Sequence, residues 1–210
     1  IYTLSLHDAL PICVSGTNLQ AIIDAMETGK LANCRIAQII SSKSDAYAVE
    51  RGRQHNIKTV IIDKQREKEM FGSRLNECLD RENTDLVVLA GYLTVLPKEV
   101  VEKYSGKIIN IHPSLIPKYS GKGFYGMRVH KAVLESGEKE TGATVHYVDE
   151  GIDTGQIIIQ KKIDISGSDS AEDIAGKVLK IEHEILVKAI EKVLGIELTQ
   201  IGRASCRERV

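Results

Sequence analysis

The chain has 210 residues, 42% of them apolar, which suffices for one α/β domain with a full core and is short for two. A formal charge of −1, two Phe and no Trp supply neither a basic field nor stacking platforms for nucleic acid. No apolar run approaches the ~18–20 residues of a membrane span, and four cysteines without a CxxC pair argue against a zinc or disulfide scaffold, making a reducing cytoplasm the default.

In chain order, the first signal is a foreign one. Residues 2–12 read YTLSLHDALPI, a translation of DNA that resembles a common short-read sequencing adapter. Residues 201–210, IGRASCRERV, are a translation of the reverse complement of the same DNA. Such a pair at the two ends reads as adapter-derived, so residues 1–12 and 201–210 are set outside the fold and 13–200 are taken as one domain.

Residues 18–30 place Leu19, Ile22, Ile23 and Met26 on one helical stripe that ends near Gly29. Residues 34–41 form a short apolar strand, 46–55 a helix and 59–62 another strand. An amphipathic helix over 67–83 uses Met70, Phe71, Leu75, Cys78 and Leu79. The run LVVLA (86–90) is apolar throughout, as a parallel strand covered on both faces should be. A helix over 97–104 opens on Pro97, whose fixed φ suits a first turn. KIINIH (107–112) is a strand that ends polar. The rhythm then changes to a helix at 126–136 and two strands at 144–148 and 156–165, joined by the loop 149–155. A long helix over 170–194 is capped by Ser170, with Glu172 and Asp173 in its first turn. The alternation predicts an α/β single domain with a doubly wound, mostly parallel, Rossmann-like sheet and antiparallel strands at one end.

Open parallel sheets bind ligands at the carboxyl ends of their strands. Three segments turn polar or glycine-rich at such ends. Ser15-Gly16-Thr17-Asn18 precedes the first helix and suits a phosphate, although an ordinary N-cap turn has the same composition. In Asn110-Ile111-His112, period two puts the amide and the imidazole on one face, where they can bind an oxyanion and move a proton. A lone His112 that merely bonds a loop is the bland alternative. Asp149-Glu150-Gly151-Ile152-Asp153-Thr154-Gly155 misses the EF-hand spacing and is also compatible with a solvated hairpin loop. His146, in the strand before it, fits either a core position or a supporting one.

Taken together, INIHPSLIPKYSG (109–121) and ATVHYVDEGIDTGQIIIQ (143–160) resemble the glycinamide ribonucleotide transformylase family. The likeness runs from Gly16-Thr17-Asn18-Leu19-Gln20 to the last helix, and the Asn-x-His pair with the later Asp-x-Gly marks the wider formyltetrahydrofolate superfamily. The resemblance implies a cytoplasmic enzyme of purine biosynthesis with 10-formyltetrahydrofolate as co-substrate, small-molecule partners, and no metal, membrane or nucleic acid. It implies that Asn110 stabilises the oxyanion, that His112 is the general acid, and that Asp153 orients His112, stabilises its cation and organises a relay water. It further implies ribonucleotide binding by Gly16, Thr17, Asn18 and Glu182. Folate binding would fall to the backbone of Leu93, Thr94, Val95 and Leu96, with Lys68 nearby.

One departure stands out. The family pattern Ser-Gly-x-Gly reads Cys13-Val14-Ser15-Gly16 here, with Val14 in place of the first glycine. Other readings stay open. A formyltetrahydrofolate deformylase would normally carry an N-terminal regulatory domain, and a methionyl-tRNA formyltransferase a basic C-terminal one. A non-catalytic nucleotide-binding domain would need none of Asn110, His112 and Asp153 at those places. Nothing in the sequence sets an oligomeric state.

Overall fold

The computed structural model describes the backbone of residues 2–6, and residues 16–32, 34–168 and 170–195 with their side chains. Its strands are β1 (Tyr2–Leu6), β2 (Ile36–Ser41), β3 (Thr59–Ile61), β4 (Leu86–Ala90), β5 (Ile108–His112), β6 (Glu140–Tyr147) and β7 (Ile157–Asp164). Its helices are α1 (Thr17–Glu27), α2 (Tyr47–Gln54), α3 (Lys64–Glu67), α4 (Phe71–Arg81), α5 (Lys98–Lys103), α6 (Met127–Glu135) and α7 (Ala171–Leu194). The sheet order is β3-β2-β1-β4-β5-β6-β7. The first five strands are parallel, and β6 and β7 continue the sheet antiparallel. The predicted α/β class, parallel sheet and antiparallel end are all present.

Strand alternation divides the core between the two faces of the sheet. Leu86, Val88, Ala90, Ile109 and Ile111 share one buried cluster with Leu19 and Ile22 of α1, Val129 of α6, and Ile185 and Leu186 of α7. Val87, Leu89 and Ile108 pack with Phe71, Leu75 and Leu79 of α4 and Val100 of α5. This two-sided burial is why LVVLA carries no polar residue, and each large side chain contributes about 1.5–3 kcal/mol. On β5 the same alternation sends Ile109 and Ile111 to one cluster and puts Asn110 and His112 on the other face.

Three elements differ from the sequence reading. The helix over 67–83 is broken, because Asp63 caps a separate turn (α3) and Lys68 takes a positive φ of 49° before a 3-10 turn and α4. β6 starts at Glu140 and not at 144. Gly142, within this longer strand, lies so close to β7 that a Cβ there would be 2.0 Å from the Lys161 carbonyl oxygen. Third, residues 2–6, set outside the fold above, form β1 between β2 and β4. Val14 and the rest of 7–15 lie outside the described residues.

The position of β1 yields a stability test. Its register partners include Ile39, Ile40, Val87, Val88 and Leu89, all buried. A strand covered on both faces favours continuous apolar sequence, whereas YTLSL carries Thr3 and Ser5. Replacing residues 1–14 by an apolar strand ending Ser-Gly-x-Gly is expected to raise the melting temperature. Equal melting of the two proteins would show that the present segment is adapted to its place.

Candidate active site

The site is built where β5 and β6 meet. In their antiparallel register Asn110 pairs with His146 and His112 with Thr144, so these four side chains project to one face. Asp153 returns to them from the β6–β7 loop at a φ of 57°, a left-handed conformation that Asp tolerates better than most residues. The loop comes back so tightly that a Cβ on Gly155 would sit 1.8 Å from the Tyr147 carbonyl oxygen.

Hydrogen-bond partners assign the ring protons. His112 Nε2 lies 2.9 Å from the Tyr119 carbonyl oxygen, which can only accept, so Nε2 carries a proton. Nδ1 of His112 therefore faces Asp153 Oδ2, 3.5 Å away. His146 Nδ1 donates to the Tyr147 carbonyl at 2.8 Å, and its Nε2 lies 3.2 Å from the Asn110 amide nitrogen and 3.6 Å from Asp153 Oδ1. The Asn110 amide itself reaches Asp153 Oδ1 only at 3.5 Å. A contact that long is weak, and it leaves the donor free to turn toward a developing oxyanion. Asp153 Oδ2 also accepts from the Gly121 backbone N–H at 2.9 Å.

These contacts set the acidities. Burial pushes the His112 imidazole below its ordinary value, and the opposing pull of Asp153 and the Tyr119 carbonyl does not restore it. Burial acts on Asp153 in the upward direction, but His146, His112 and the Gly121 amide outweigh it and hold the carboxyl below its usual range. His130 on α6 is pushed down to about 4 by burial and by the neighbouring His112. Its Nδ1 is buried with no hydrogen-bond partner among the described residues.

Asn110, His146 and Asp153 form the polar end of a cleft of about 300 Å3. Leu93, Thr94, Val95 and Leu96, which follow β4, line one side with Tyr92, Val101 and Ile152, and the charged Lys98, Asp149 and Glu150 also border the cleft. Val95 is 54% exposed and Leu93 38%, an apolar wall open to a ligand. His112 lies behind this surface, 4% exposed. Lys68 is exposed and outside the lining, whereas Lys64 reaches the Val95 carbonyl at 3.5 Å. Among the described residues, no three His, Cys, Asp or Glu side chains are arranged to hold a metal ion.

A second group forms where α1 packs on α7. Gly16 is the N-cap of α1 at a φ of 58°, and Thr17 and Asn18 open the helix. Asn18 Nδ2 donates to Glu182 Oε2 at 2.8 Å across 164 residues of sequence. Glu182 is buried, and desolvation raises its carboxyl against the pull of Asn18. None of the four lines the cleft.

Glu182 gives a pH-dependent prediction. A carboxyl raised on folding favours its protonated form in the fold, so stability is lost as pH climbs from the ordinary carboxylate value, about 4.3, toward the raised one. Glu182→Gln keeps an acceptor for Asn18 and removes the buried charge. It is therefore expected to melt higher than the parent at pH 7 and no higher at pH 4. A parent melting curve that is flat across this range would refute the buried-charge account.

Sequence reasoning did not single out His130, the Tyr119 carbonyl or the Gly121 amide. It left His146 undecided, although its two-residue spacing from Thr144 already put both on one face.

Residues 9–190 match the formyl transferase family. The phosphoribosylglycinamide formyltransferase of Escherichia coli is 39% identical over 173 residues, spanning 81% of this chain and 79% of that protein. The chloroplastic phosphoribosylglycinamide formyltransferase of Vigna unguiculata is 35% identical over 93% of this chain. The chain spans only 59% of the length of that plant relative, and 61% of the one from Arabidopsis thaliana. The solved phosphoribosylglycinamide formyltransferase from Bacillus halodurans superposes with a TM-score of 0.82 at 33% identity, covering 92% of this chain and 96% of that one.

Proposed function

The chain belongs to the formyl transferase family, and on that premise we propose that it moves the formyl group of 10-formyltetrahydrofolate to the amine of glycinamide ribonucleotide. The observation that supports this best is the convergence of Asn110, His112 and Asp153, with Asn110 and Asp153 at one end of the cleft and His112 buried against Asp153. The amine nitrogen attacks the formyl carbon, a C–N bond forms, and the formyl oxygen becomes an oxyanion beside the loosely held Asn110 amide. The bond from that carbon to the folate nitrogen then breaks, and the proton lost by the amine ends on the departing nitrogen.

His112 and Asp153 carry that proton. With its acidity increased by burial, His112 rests neutral at pH 7 with Nδ1 unprotonated and facing Asp153. It takes up the amine's proton, directly or through a water held by Asp153, and returns it to the leaving nitrogen as a strong general acid. Asp153 stabilises the transient imidazolium. Leu93, Thr94, Val95 and Leu96 offer the folate ring backbone groups on an apolar wall, and Gly16, Thr17, Asn18 and Glu182 receive the ribonucleotide. Both are small molecules, and the reaction is assigned to the cytoplasm.

The purified chain would be assayed with 10-formyltetrahydrofolate, with and without glycinamide ribonucleotide. Formyl transfer that requires the ribonucleotide is expected. Formate release in its absence would make the chain a deformylase, and loss of both activities in a folded protein would leave a binding domain.

A further inference from the structure

His112 is held at Nε2 by a single atom, the carbonyl oxygen of Tyr119, and that atom decides which ring nitrogen is left to exchange a proton. Tyr119 lies in the irregular segment between β5 and α6, where no strand or helix fixes a carbonyl's direction. Buried hydroxyls do so instead. Ser114 is fully buried and donates to the Lys118 carbonyl at 2.6 Å, with the Tyr119 carbonyl at 3.2 Å. The Ser114 carbonyl accepts from Thr144 Oγ1 at 2.6 Å. Thr144 is also fully buried and is the register partner of His112 itself. Behind it, Gln160 Nε2 gives one hydrogen to Thr144 Oγ1 at 2.9 Å and the other to the Ile116 carbonyl at 3.0 Å.

The segment is therefore tied to β6 and β7 at Ser114 and Ile116, and presents Tyr119 to His112 and Gly121 to Asp153. We propose that Thr144, backed by Gln160, is a positioning residue of the reaction. It fixes the Tyr119 carbonyl, and through it the tautomer of His112, without touching substrate. The inference rests on His112 being the proton carrier, as proposed above.

Thr144→Val keeps the shape of the side chain and removes the hydroxyl, and Thr144→Ser restores it. The imidazole tautomer of His112, read by nitrogen-15 NMR, is expected to be Nε2–H in the parent and in Thr144→Ser, and mixed in Thr144→Val. Losing one buried hydrogen bond's worth of positioning should lower kcat about tenfold with little change in KM, and the pH profile of kcat should shift. Gln160→Leu, at an exposed position, is expected to give a smaller effect of the same kind and serves if Thr144→Val does not fold. A folded Thr144→Val protein with the parent's tautomer and pH profile would overturn the proposal, even if kcat fell. If His112→Ala kept full activity, the proton-carrier reading would fall and with it the catalytic sense of the inference. The tautomer would then still report separately on the positioning.

Discussion

His112→Ala is expected to lower kcat about 100- to 10,000-fold, the range that a positioned acid–base group contributes, with KM for the folate little changed. The asymmetry follows from where the ring sits. His112 is buried behind Asn110 and Asp153 and is not part of the cleft wall, so its loss removes no surface from the ground-state complex. What goes is the atom that accepts and returns a proton, which matters only on the way to the transition state. The acid limb of kcat/KM against pH should track this group in the parent, with activity falling as pH drops through a value below the ordinary His range. Below that value the resting ring is already protonated and cannot take the amine's proton. In His112→Ala this limb should disappear. Unchanged kcat with weakened folate binding would reassign His112 to recognition.

The parts of the site that could be read from the sequence are those in which one strand carries the information. Asn110 and His112 are two residues apart on a strand whose alternate positions are Ile109 and Ile111, so their common face needs no tertiary knowledge. LVVLA similarly announces a strand buried on both sides. His146 could not be placed in this way, because its meaning is the register pairing with Asn110 across β5 and β6. The Tyr119 carbonyl and the Gly121 amide are backbone groups, so the chemistry of their side chains gives no sign of them. Glu182 entered only through resemblance, since 164 residues separate it from Asn18 and α1 must pack on α7 before the two meet. Lys68, assigned to the folate by resemblance alone, sits at a positive φ that breaks the predicted helix and outside the residues that line the cleft.

Asp153→Asn should be nearly as damaging to turnover as the loss of His112, and its signature in pH should differ. The substitution keeps an oxygen to accept from Gly121, so the β6–β7 loop has no steric reason to move. It removes the negative charge that faces His112 Nδ1 at 3.5 Å, and with it the stabilisation of the imidazolium formed during proton transfer. That charge raises the His112 value against the lowering effect of burial. Without it the imidazole falls further, and the acid limb of kcat/KM should move to lower pH as the plateau drops. Stability carries the same sign information. A carboxyl held below its ordinary value stabilises the fold above about pH 4, the unfolded value, and loses that contribution as pH falls toward the depressed one. Below about pH 4, where this carboxyl titrates, the parent should therefore lose melting temperature more steeply than Asp153→Asn. An acid limb that stays in place, together with parallel melting curves, would mean that Asp153 acts on the loop and not on His112.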